Sequence, residues 1–352
     1  MRRLSSDTLL ILASGISLGG LGAALALWGN PANSGICISC FVENLSGSLG
    51  LHHDLRMSYF RPELAGFVAG AFLMALAGRE MRPRSGTYPV IGFVLGVLLI
   101  AGSSVFMGCP IKMMLRLGAG DLTAVAGVAG LAFGVWIGVR CYRAGLDLGA
   151  PTPGGGAFQA SLLPLVIVAG FGLSVAVGGL FLAGDTGPAA RRAPLVISLA
   201  AGLIIGALAQ RSRFCVTGSF SNYFLARDTV LMRGLAALFL AALSVSVLSG
   251  VFNPGLLDQP GSHPDHLWNF LGMALVGFAS VLAGGCPFRQ LVLSGEGSVD
   301  ASVVVLGMVA GGAIVHLWGI ASTSAGPTPF GKAAVLLGLA FCFGIARFYR
   351  KA

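Results

Sequence analysis

The chain has 352 residues, of which 55 % are hydrophobic and only 10 % are charged, and its mean hydropathy is +0.86. Soluble globular domains carry about 25 % charged residues, so the composition excludes a water-soluble protein of ordinary size. The net charge of +9 does not indicate nucleic-acid binding, because the basic residues form short clusters between apolar runs, where such charges set membrane topology. The composition predicts a multi-pass membrane protein.

About ten apolar segments approach the roughly 20 residues that a helix needs to cross the hydrocarbon core. The first follows Met1-Arg2-Arg3 like a signal peptide, but its apolar part is long and lacks a persuasive cleavage site, so we interpret it as a membrane span. We therefore expect an all-α polytopic fold. The predicted spans are residues 8–29, 62–78, 88–108, 122–140, 160–183, 194–210, 229–251, 266–284, 299–319 and 329–347.

The distribution of arginine and lysine predicts the orientation of these spans in a bacterial inner membrane. If both termini are cytoplasmic, most of the basic clusters fall on the cytoplasmic side, whereas the external segment 252–265 has no Lys or Arg. We therefore expect both termini in the cytoplasm. The exceptions to this pattern are Arg56, Arg61, Lys112, Arg116, Arg191 and Arg192.

Two motifs recur at nearly the same offset, which indicates an internal duplication. Gly-Cys-Pro-Ile-Lys at 108–112 matches Gly-Cys-Pro-Phe-Arg at 285–289, 177 residues later, and several glycines match at the same offset. The segment 34–44, with Cys37, resembles 212–222, with Cys215, at an offset of 178. Two independent matches at nearly one offset favour duplication over chance.

The number of spans predicts how the two copies are related. Each copy holds four predicted spans and one further span lies between them, so the second copy should be inverted in the membrane, as in many transporters. We predict a first repeat at residues 1–150, a linker with one transmembrane helix at 151–193, a second repeat at 194–325 and a C-terminal transmembrane helix at 326–352. Inverted-repeat transporters bind substrate near the midplane between the repeats.

The repeated Gly-Cys-Pro element predicts a broken helix with a cysteine at the break. Proline suits the first turn of a new helix, so Cys109 and Cys286 should lie at positive helix N-termini, which stabilise anions and thiolates. Lys112 and Arg289 add a cation three residues after each cysteine. Asp121, Glu296 and Asp300 lie near predicted membrane edges, where capping and solvation are the first expectation, and orientation of Arg289 is the alternative role for Glu296. Broken helices in a membrane are buried or line a cavity. The pattern favours a site for a small anion.

The remaining cysteines and histidines carry weaker signals. Cys215 and Cys37 are functional candidates through their own repeat, Cys141 and Cys342 are interpreted as packing residues, and the role of Cys40 stays open. The Cys-x-x-Cys spacing of Cys37 and Cys40 lacks the second ligand pair that zinc sites use, so we expect no metal and no cofactor. His316 lies in a span, where a functional and a packing role are equally compatible with the sequence, and a solvated loop explains His52 and His53 as well as metal binding does.

The element at 285–297, Gly-Cys-Pro-Phe-Arg-Gln-Leu followed by Ser-Gly-Glu-Gly, resembles the signature of the YeeE/YedE sulfur-transport family, and most closely its branch associated with selenium metabolism. The resemblance implies an hourglass-like helical protein, with short broken or re-entrant helices. It also implies a path on which cysteines pass thiosulfate by transient S–H···S hydrogen bonds. The matching positions are Cys109, Cys215 and Cys286. Cys37, Cys40, Lys112 and Arg289 depart from that pattern and leave open whether the cargo is thiosulfate or a selenium species.

We therefore expect a non-enzymatic transporter whose partners are the lipid bilayer and a small inorganic anion. Two alternatives remain at this stage. One is a membrane thiol redox protein that uses Cys37 and Cys40. The other is a membrane anchor for a small TusA-like sulfur-carrier protein.

Overall fold

The computed structural model describes residues 5–86, 88–149, 152–153 and 156–351, which fold almost entirely into α-helices. Ten helical segments are long and apolar enough to cross a membrane, and each coincides with one of the ten predicted spans. The predicted all-α polytopic fold is thus confirmed. The helices are α1 Ser6–Leu27, α2 Ile38–Ser48, α3 Pro62–Ala77, α4 Pro89–Phe106, α5 Pro110–Gly118, α6 Ala124–Arg143, α7 Ala157–Ala176, α8 Gly187–Ala190, α9 Leu195–Ser212, α10 Val216–Ala226, α11 Val230–Leu248, α12 His266–Ala283, α13 Pro287–Gly295, α14 Val299–Leu317 and α15 Pro329–Phe348.

Little other regular structure accompanies these helices in the described residues. A 3₁₀ turn spans Leu55–Met57, and the two-residue strand β1 (Arg84–Ser85) pairs in antiparallel fashion with β2 (Thr152–Pro153). This pairing joins the loop after α3 to the segment before α7.

Glycines bring the long helices of the two predicted repeats into direct backbone contact. Gly130 of α6 lies against the carbonyl group of Phe270 in α12, with no room for a Cβ atom. The residues at the same offset of 177 make the equivalent contact, Gly307 of α14 against Phe93 of α4. The hydrophobic effect does not drive helices together in lipid, so membrane helices associate through close van der Waals packing. Small residues allow this close approach. The packing therefore follows the repeat found in the sequence.

The order of these contacts shows that the two copies run in opposite directions. Contacts advance together along α6 and α12, from Gly130 with Phe270 to Gly134 with Ala274, so these helices are parallel. By the same criterion α4 is parallel to α14, α1 to α11, and α3 to α9. Each pair joins one helix from each copy. Successive spans alternate in direction, so α1 and α3 run in opposite directions. The equivalent of α3 in the second copy, α11, runs parallel to α1, and the second copy is therefore inverted.

Helix α7 lies between the two sets of six helices, and α15 follows the second set. This order agrees with a linker span between two repeats and a terminal span after them. The residue boundaries at 150, 193 and 325 stay predictions.

Replacement of a contact glycine by alanine should destabilise the fold. Gly130→Ala and Gly307→Ala each force a Cβ atom against a backbone carbonyl, and overpacking of this kind costs about 1–3 kcal/mol. Gly344→Ala in α15 is the control, because no atom lies within 4 Å of a Cβ atom built there. We expect lower melting temperatures of the purified protein for the first two variants and an unchanged or slightly higher value for the third. Equal melting temperatures in all three would contradict the packing described here.

Candidate functional site

Each of four short helices begins directly after a cysteine. Cys37, Cys109, Cys215 and Cys286 are the N-cap residues of α2, α5, α10 and α13. The long helices α4 and α12 end in a residue with left-handed backbone conformation at equivalent positions, Met107 (φ 62°) and Gly284 (φ 82°). This conformation stops the helix, and Pro110 and Pro287 start the next one, as the Gly-Cys-Pro motif predicts.

Cys37 and Cys215 have the same local geometry, which follows from their repeat. The backbone N–H groups of Cys40 and Gly218, three residues later in each case, donate to these sulfurs at 3.4 Å. The hydroxyl two residues later also lies close, 3.4 Å for Ser39 and 3.2 Å for Thr217. Each sulfur thus occupies the position of a capping oxygen at the positive end of its helix.

The four cysteines form two pairs, one within each repeat. The backbone N–H of Ile38, next to Cys37, donates to the sulfur of Cys109 at 3.2 Å. The thiol of Cys215 donates to the sulfur of Cys286 at 3.5 Å. The residues of both pairs are at most 5 % exposed. Contacts of α2 with α13, and of α10 with α5, bring the two pairs together between the repeats.

A cavity of about 790 Å³ opens on the membrane side opposite the termini, and we call it the distal cavity. Its wall includes Cys40, Gly108 at the first helix break, and Lys112. Lys112 is 5 % exposed, and its ammonium group makes no hydrogen bond or ion pair with any residue that the structure describes. A buried ammonium group needs a counter-charge, and an anion in the cavity could supply it to Lys112.

A second cavity of about 490 Å³, the proximal cavity, opens on the side of the termini. Its wall includes Gly284 and Arg289 at the second break. Arg289 donates from Nη1 to Oε1 of Glu296 at 3.0 Å, which is the contact that the sequence predicted between these residues. Arg289 is therefore oriented and partly neutralised, unlike Lys112.

Both cavities are more basic than acidic. The distal cavity is lined by Arg56, Arg61, Lys112 and Arg191 against Glu43, Asp54 and Asp185. The proximal cavity is lined by Arg82, Arg84, Arg213 and Arg289 against Glu296 and Asp300. Narrow clefts with an excess of one charge raise the local concentration of the opposite ion. The arrangement therefore favours anions at both mouths, with the cysteine pairs between them.

The other cysteines are placed differently. Cys37 and Cys40 form a disulfide. Cys342 is fully buried in α15, and Cys141 is half-buried in α6, and neither lines a cavity described above. Among the described residues, no group of three or more His, Cys, Asp or Glu side chains is arranged to hold a metal ion.

Comparison with known proteins finds a similarity in the C-terminal part of the chain. Residues 211–342 match the family described as sulphur transport. The matched segment is similar to that family and makes up less than half of the chain. It contains Cys215, Cys286, Arg289 and Glu296, so the resemblance seen in the Gly-Cys-Pro-Phe-Arg-Gln element is confirmed at the level of the family.

Two relatives share the name of thiosulfate transporter TsuA. The protein of Escherichia coli (strain K12) is 30 % identical over 114 residues, which are 32 % of this chain and 31 % of the relative. The protein of Spirochaeta thermophila is 29 % identical over 103 residues, which are 29 % of this chain and 31 % of the relative. The matched region thus spans about a third of each relative. Cys37, Cys109 and Lys112 lie outside the family segment and correspond to it only through the internal repeat.

A buried ion pair that the sequence analysis did not predict fixes the helix after Cys109. Arg116 of α5 donates from Nε to Oδ2 of Asp121 at 2.7 Å, and both side chains are fully buried. Its other nitrogens donate to the carbonyl oxygen of Phe106 and to Thr123. Arg116 therefore ties α5 to the end of α4 and to the start of α6. The sequence did not indicate this ion pair, because Asp121 was expected to be solvated at a membrane edge.

A second group of polar side chains lies in the wall of the distal cavity. Glu43 of α2 contacts His316 of α14, and His52 and Asp54 approach from the loop between α2 and α3. His52 is 1 % exposed, so the expectation of a solvated loop is wrong for this residue, whereas His53 is exposed. Residues so distant in sequence meet only through the tertiary fold, and no motif spacing indicates them.

Asp121→Asn should destabilise the fold, because it leaves the buried Arg116 guanidinium without its counter-charge. Breaking a buried pair in this way costs about 3–5 kcal/mol. The control is Asp147→Asn, which removes an exposed ion pair with Lys351 and should cost about 0–1 kcal/mol. The melting temperatures of the two variants test this difference. If Asp121→Asn melts as the unaltered protein does, Arg116 does not anchor α5.

Proposed function

We propose that the protein carries a small sulfur- or selenium-containing anion across the membrane through the two cysteine pairs. The observation that supports this proposal is the placement of four cysteine N-caps between two basic cavities that open on opposite sides of the helical bundle. The names of the relatives as thiosulfate transporters favour transport over an enzymatic role.

The local chemistry explains why cysteine suits such a path. An anion that leaves water must replace its hydration with other donors, and each helix N-terminus offers free backbone N–H groups and a partial positive charge. A thiol is a weak donor and its sulfur is a weak acceptor. A soft anion such as thiosulfate can therefore be held by several weak contacts and released again, because no single contact binds it strongly.

The path we propose runs from Lys112 in the distal cavity, past the Cys37–Cys40 disulfide and the thiol of Cys109, to the thiols of Cys215 and Cys286, and out past Arg289. Lys112 attracts the anion in the distal cavity, where its charge is unpaired. Glu296 competes with the anion for Arg289 in the proximal cavity, so binding there is weaker and release is favoured. The sequence contains no P-loop motif for nucleotide hydrolysis.

The cargo is proposed to be thiosulfate or a selenium anion of similar size and softness. Thiosulfate is favoured by the names of the two relatives. Competition of thiosulfate, selenite, sulfite and sulfate for uptake into liposomes distinguishes these cargoes, since a soft-anion path should discriminate against sulfate.

We propose that the protein lies in the bacterial inner membrane with its termini and the proximal cavity on the cytoplasmic side, as the positive-inside pattern favours. A C-terminal reporter that is active only in the cytoplasm tests this orientation. The distal cavity would then face the periplasm, and uptake would run from the distal to the proximal cavity.

The Cys37–Cys40 disulfide favours one alternative, a membrane thiol redox protein. In that case Cys37→Ser and Cys40→Ser would remove the activity, and thiol-labelling gels would show a redox-dependent shift. A role as an anchor for a TusA-like sulfur-carrier protein would instead appear as co-purification without flux in liposomes.

Cys109→Ser and Cys286→Ser should each lower the uptake of radiolabelled thiosulfate into liposomes by at least about tenfold. The loss of one contact to a charged group costs about 1.5–3 kcal/mol, and 1.4 kcal/mol corresponds to a factor of ten. Cys342→Ser is the matched control, because it alters a fully buried thiol outside both cavities. Uptake that persists unchanged in both pathway variants, with normal protein levels in the membrane, would refute the cysteine path.

Lys112→Gln should reduce uptake at low thiosulfate concentration by about tenfold to a hundredfold, since it removes the unpaired charge of the distal cavity. Lys332→Gln is the control. Lys332 is also on the distal side, at the start of α15, but its ammonium group lies over the ring of Trp268 and not in the cavity. The apparent KM for thiosulfate distinguishes the two variants. Equal values for both would exclude Lys112 from anion binding.

A further inference from the structure

The wall of the distal cavity contains a histidine between two carboxylates. His316 Nε2 lies 3.1 Å from Oε2 of Glu43, and His316 Nδ1 lies 3.5 Å from Oδ2 of Asp54. The side chains of His316 and Glu43 are 9 % and 7 % exposed, and both residues line the cavity. The same cavity holds Lys112, so these groups lie where the proposed anion enters.

This geometry fits a protonated imidazole. A neutral imidazole has one N–H group and donates to one partner, whereas an imidazolium donates from both nitrogens. His316 Nε2 forms a hydrogen bond with Glu43, and Nδ1 lies within ion-pair distance of Asp54, so the charge of an imidazolium would be held between two carboxylates. The other oxygen of Glu43 accepts from the hydroxyl of Ser104 at 2.8 Å, so this carboxylate is held in place from two sides.

The neighbouring His52 does not compete for this proton. Its ring stacks on His316 with 4.3 Å between the centroids. Its Nε2 donates to the carbonyl oxygen of Glu43 at 3.1 Å, and its Nδ1 accepts from the backbone N–H of Asp54 at 3.3 Å, which is the pattern of a neutral ring. Burial also lowers the pKa of His52, with a further contribution from His316. Of the two stacked rings, His52 is therefore neutral, and His316 is the ring that can hold the proton.

The remaining charges near the cluster come from the loops and helices around it. Arg56 donates to both oxygens of Asp54 from the exposed side, and Asp185, Arg191 and Lys112 line the same cavity. Of the helices that pack on α14, α4 and α7 carry no charged side chain in their described residues. Arg289 of α13 and Arg84 of β1 lie toward the opposite end of α14, at the proximal cavity.

We propose that His316, Glu43 and Asp54 form a proton-binding site that is coupled to anion binding in the distal cavity. This inference rests on the proposed transport function. Without the proton the three side chains carry two negative charges, which repel an entering anion. One proton reduces that charge to one and so favours the anion, and by linkage the anion favours the proton to the same extent. Entry of the anion together with a proton supplies a driving force for uptake.

The test measures thiosulfate affinity of the purified full chain at pH 6, 7 and 8, together with proton uptake from weakly buffered solution when thiosulfate binds. Thiosulfate stays a dianion over this range, so a change in affinity reports on the protein. The unaltered protein should bind more tightly as the pH falls, by at most about tenfold per pH unit for one linked proton. It should take up no more than about one proton for each anion bound.

Two variants should reduce the pH dependence of thiosulfate affinity, one by lowering the affinity at pH 6 and the other by raising it at pH 8. His316→Gln keeps the cluster unprotonated, so its affinity at pH 6 should fall to the value that the unaltered protein shows at pH 8. Glu43→Gln removes one carboxylate, so its affinity at pH 8 should rise. His53→Gln is the control, because this neighbouring histidine is exposed and makes none of these contacts. A variant that fails to fold cannot bind more tightly, so Glu43→Gln protects the test from loss of structure.

The outcomes separate this inference from the proposed function. Binding or flux with no pH dependence, or with the unaltered slope in both variants, overturns the proton-binding site and leaves transport intact. Absence of thiosulfate binding and of flux at every pH overturns the transport proposal, and the coupling falls with it. An acid-outside pH gradient that accelerates uptake into liposomes, and loses this effect in His316→Gln, supports the coupling directly.

Discussion

A helix that ends inside a membrane protein leaves backbone C=O groups without partners, and the helix that begins after it leaves N–H groups without partners. Lipid can satisfy neither. This constraint governs the whole arrangement, because new helices begin inside the protein at the starts of α2, α5, α10 and α13. The four breaks are tolerable only if protein or a polar cavity surrounds them. The glycine contacts between parallel helices of the two copies enclose the breaks, since they bring the outer helices close enough to bury Cys37, Cys109, Cys215 and Cys286. A sulfur atom then takes the place of a capping oxygen at Cys37 and Cys215.

The internal symmetry is strong in the backbone and weak in the charges. Lys112 and Arg289 are equivalent by sequence, but Glu296 pairs with Arg289, while the equivalent of Glu296 in the first copy is Ala119. In the first copy the carboxylate that follows α5, Asp121, pairs instead with Arg116. The same duplicated scaffold therefore leaves Lys112 without a partner among the described residues of the distal cavity and Arg289 paired in the proximal cavity.

Much of the fold could be predicted from the sequence, because apolar length and a repeated motif are local signals. The ten spans and the helix breaks at Cys109 and Cys286 follow from the apolar runs and from Gly-Cys-Pro. The contacts of His316 with Glu43 could not be predicted, since 273 residues separate them and only the packing of α14 on α2 brings them together. Burial of Asp121 was likewise missed, because a carboxylate beside glycine at the end of an apolar run usually indicates a membrane edge. The sequence also gave no sign of whether Cys37 pairs with Cys40 or with another thiol.

The two cavities differ in one further respect that bears on direction. The distal cavity contains His316 between two carboxylates, whereas the described residues that line the proximal cavity include no histidine. Arginine keeps its charge throughout the physiological pH range, so the basic groups of the proximal cavity do not respond to pH there. A symmetric scaffold on its own favours neither direction of movement. A titratable group at one mouth breaks that symmetry, because the affinity of one cavity then depends on the pH of the solution it faces, while the affinity of the other does not.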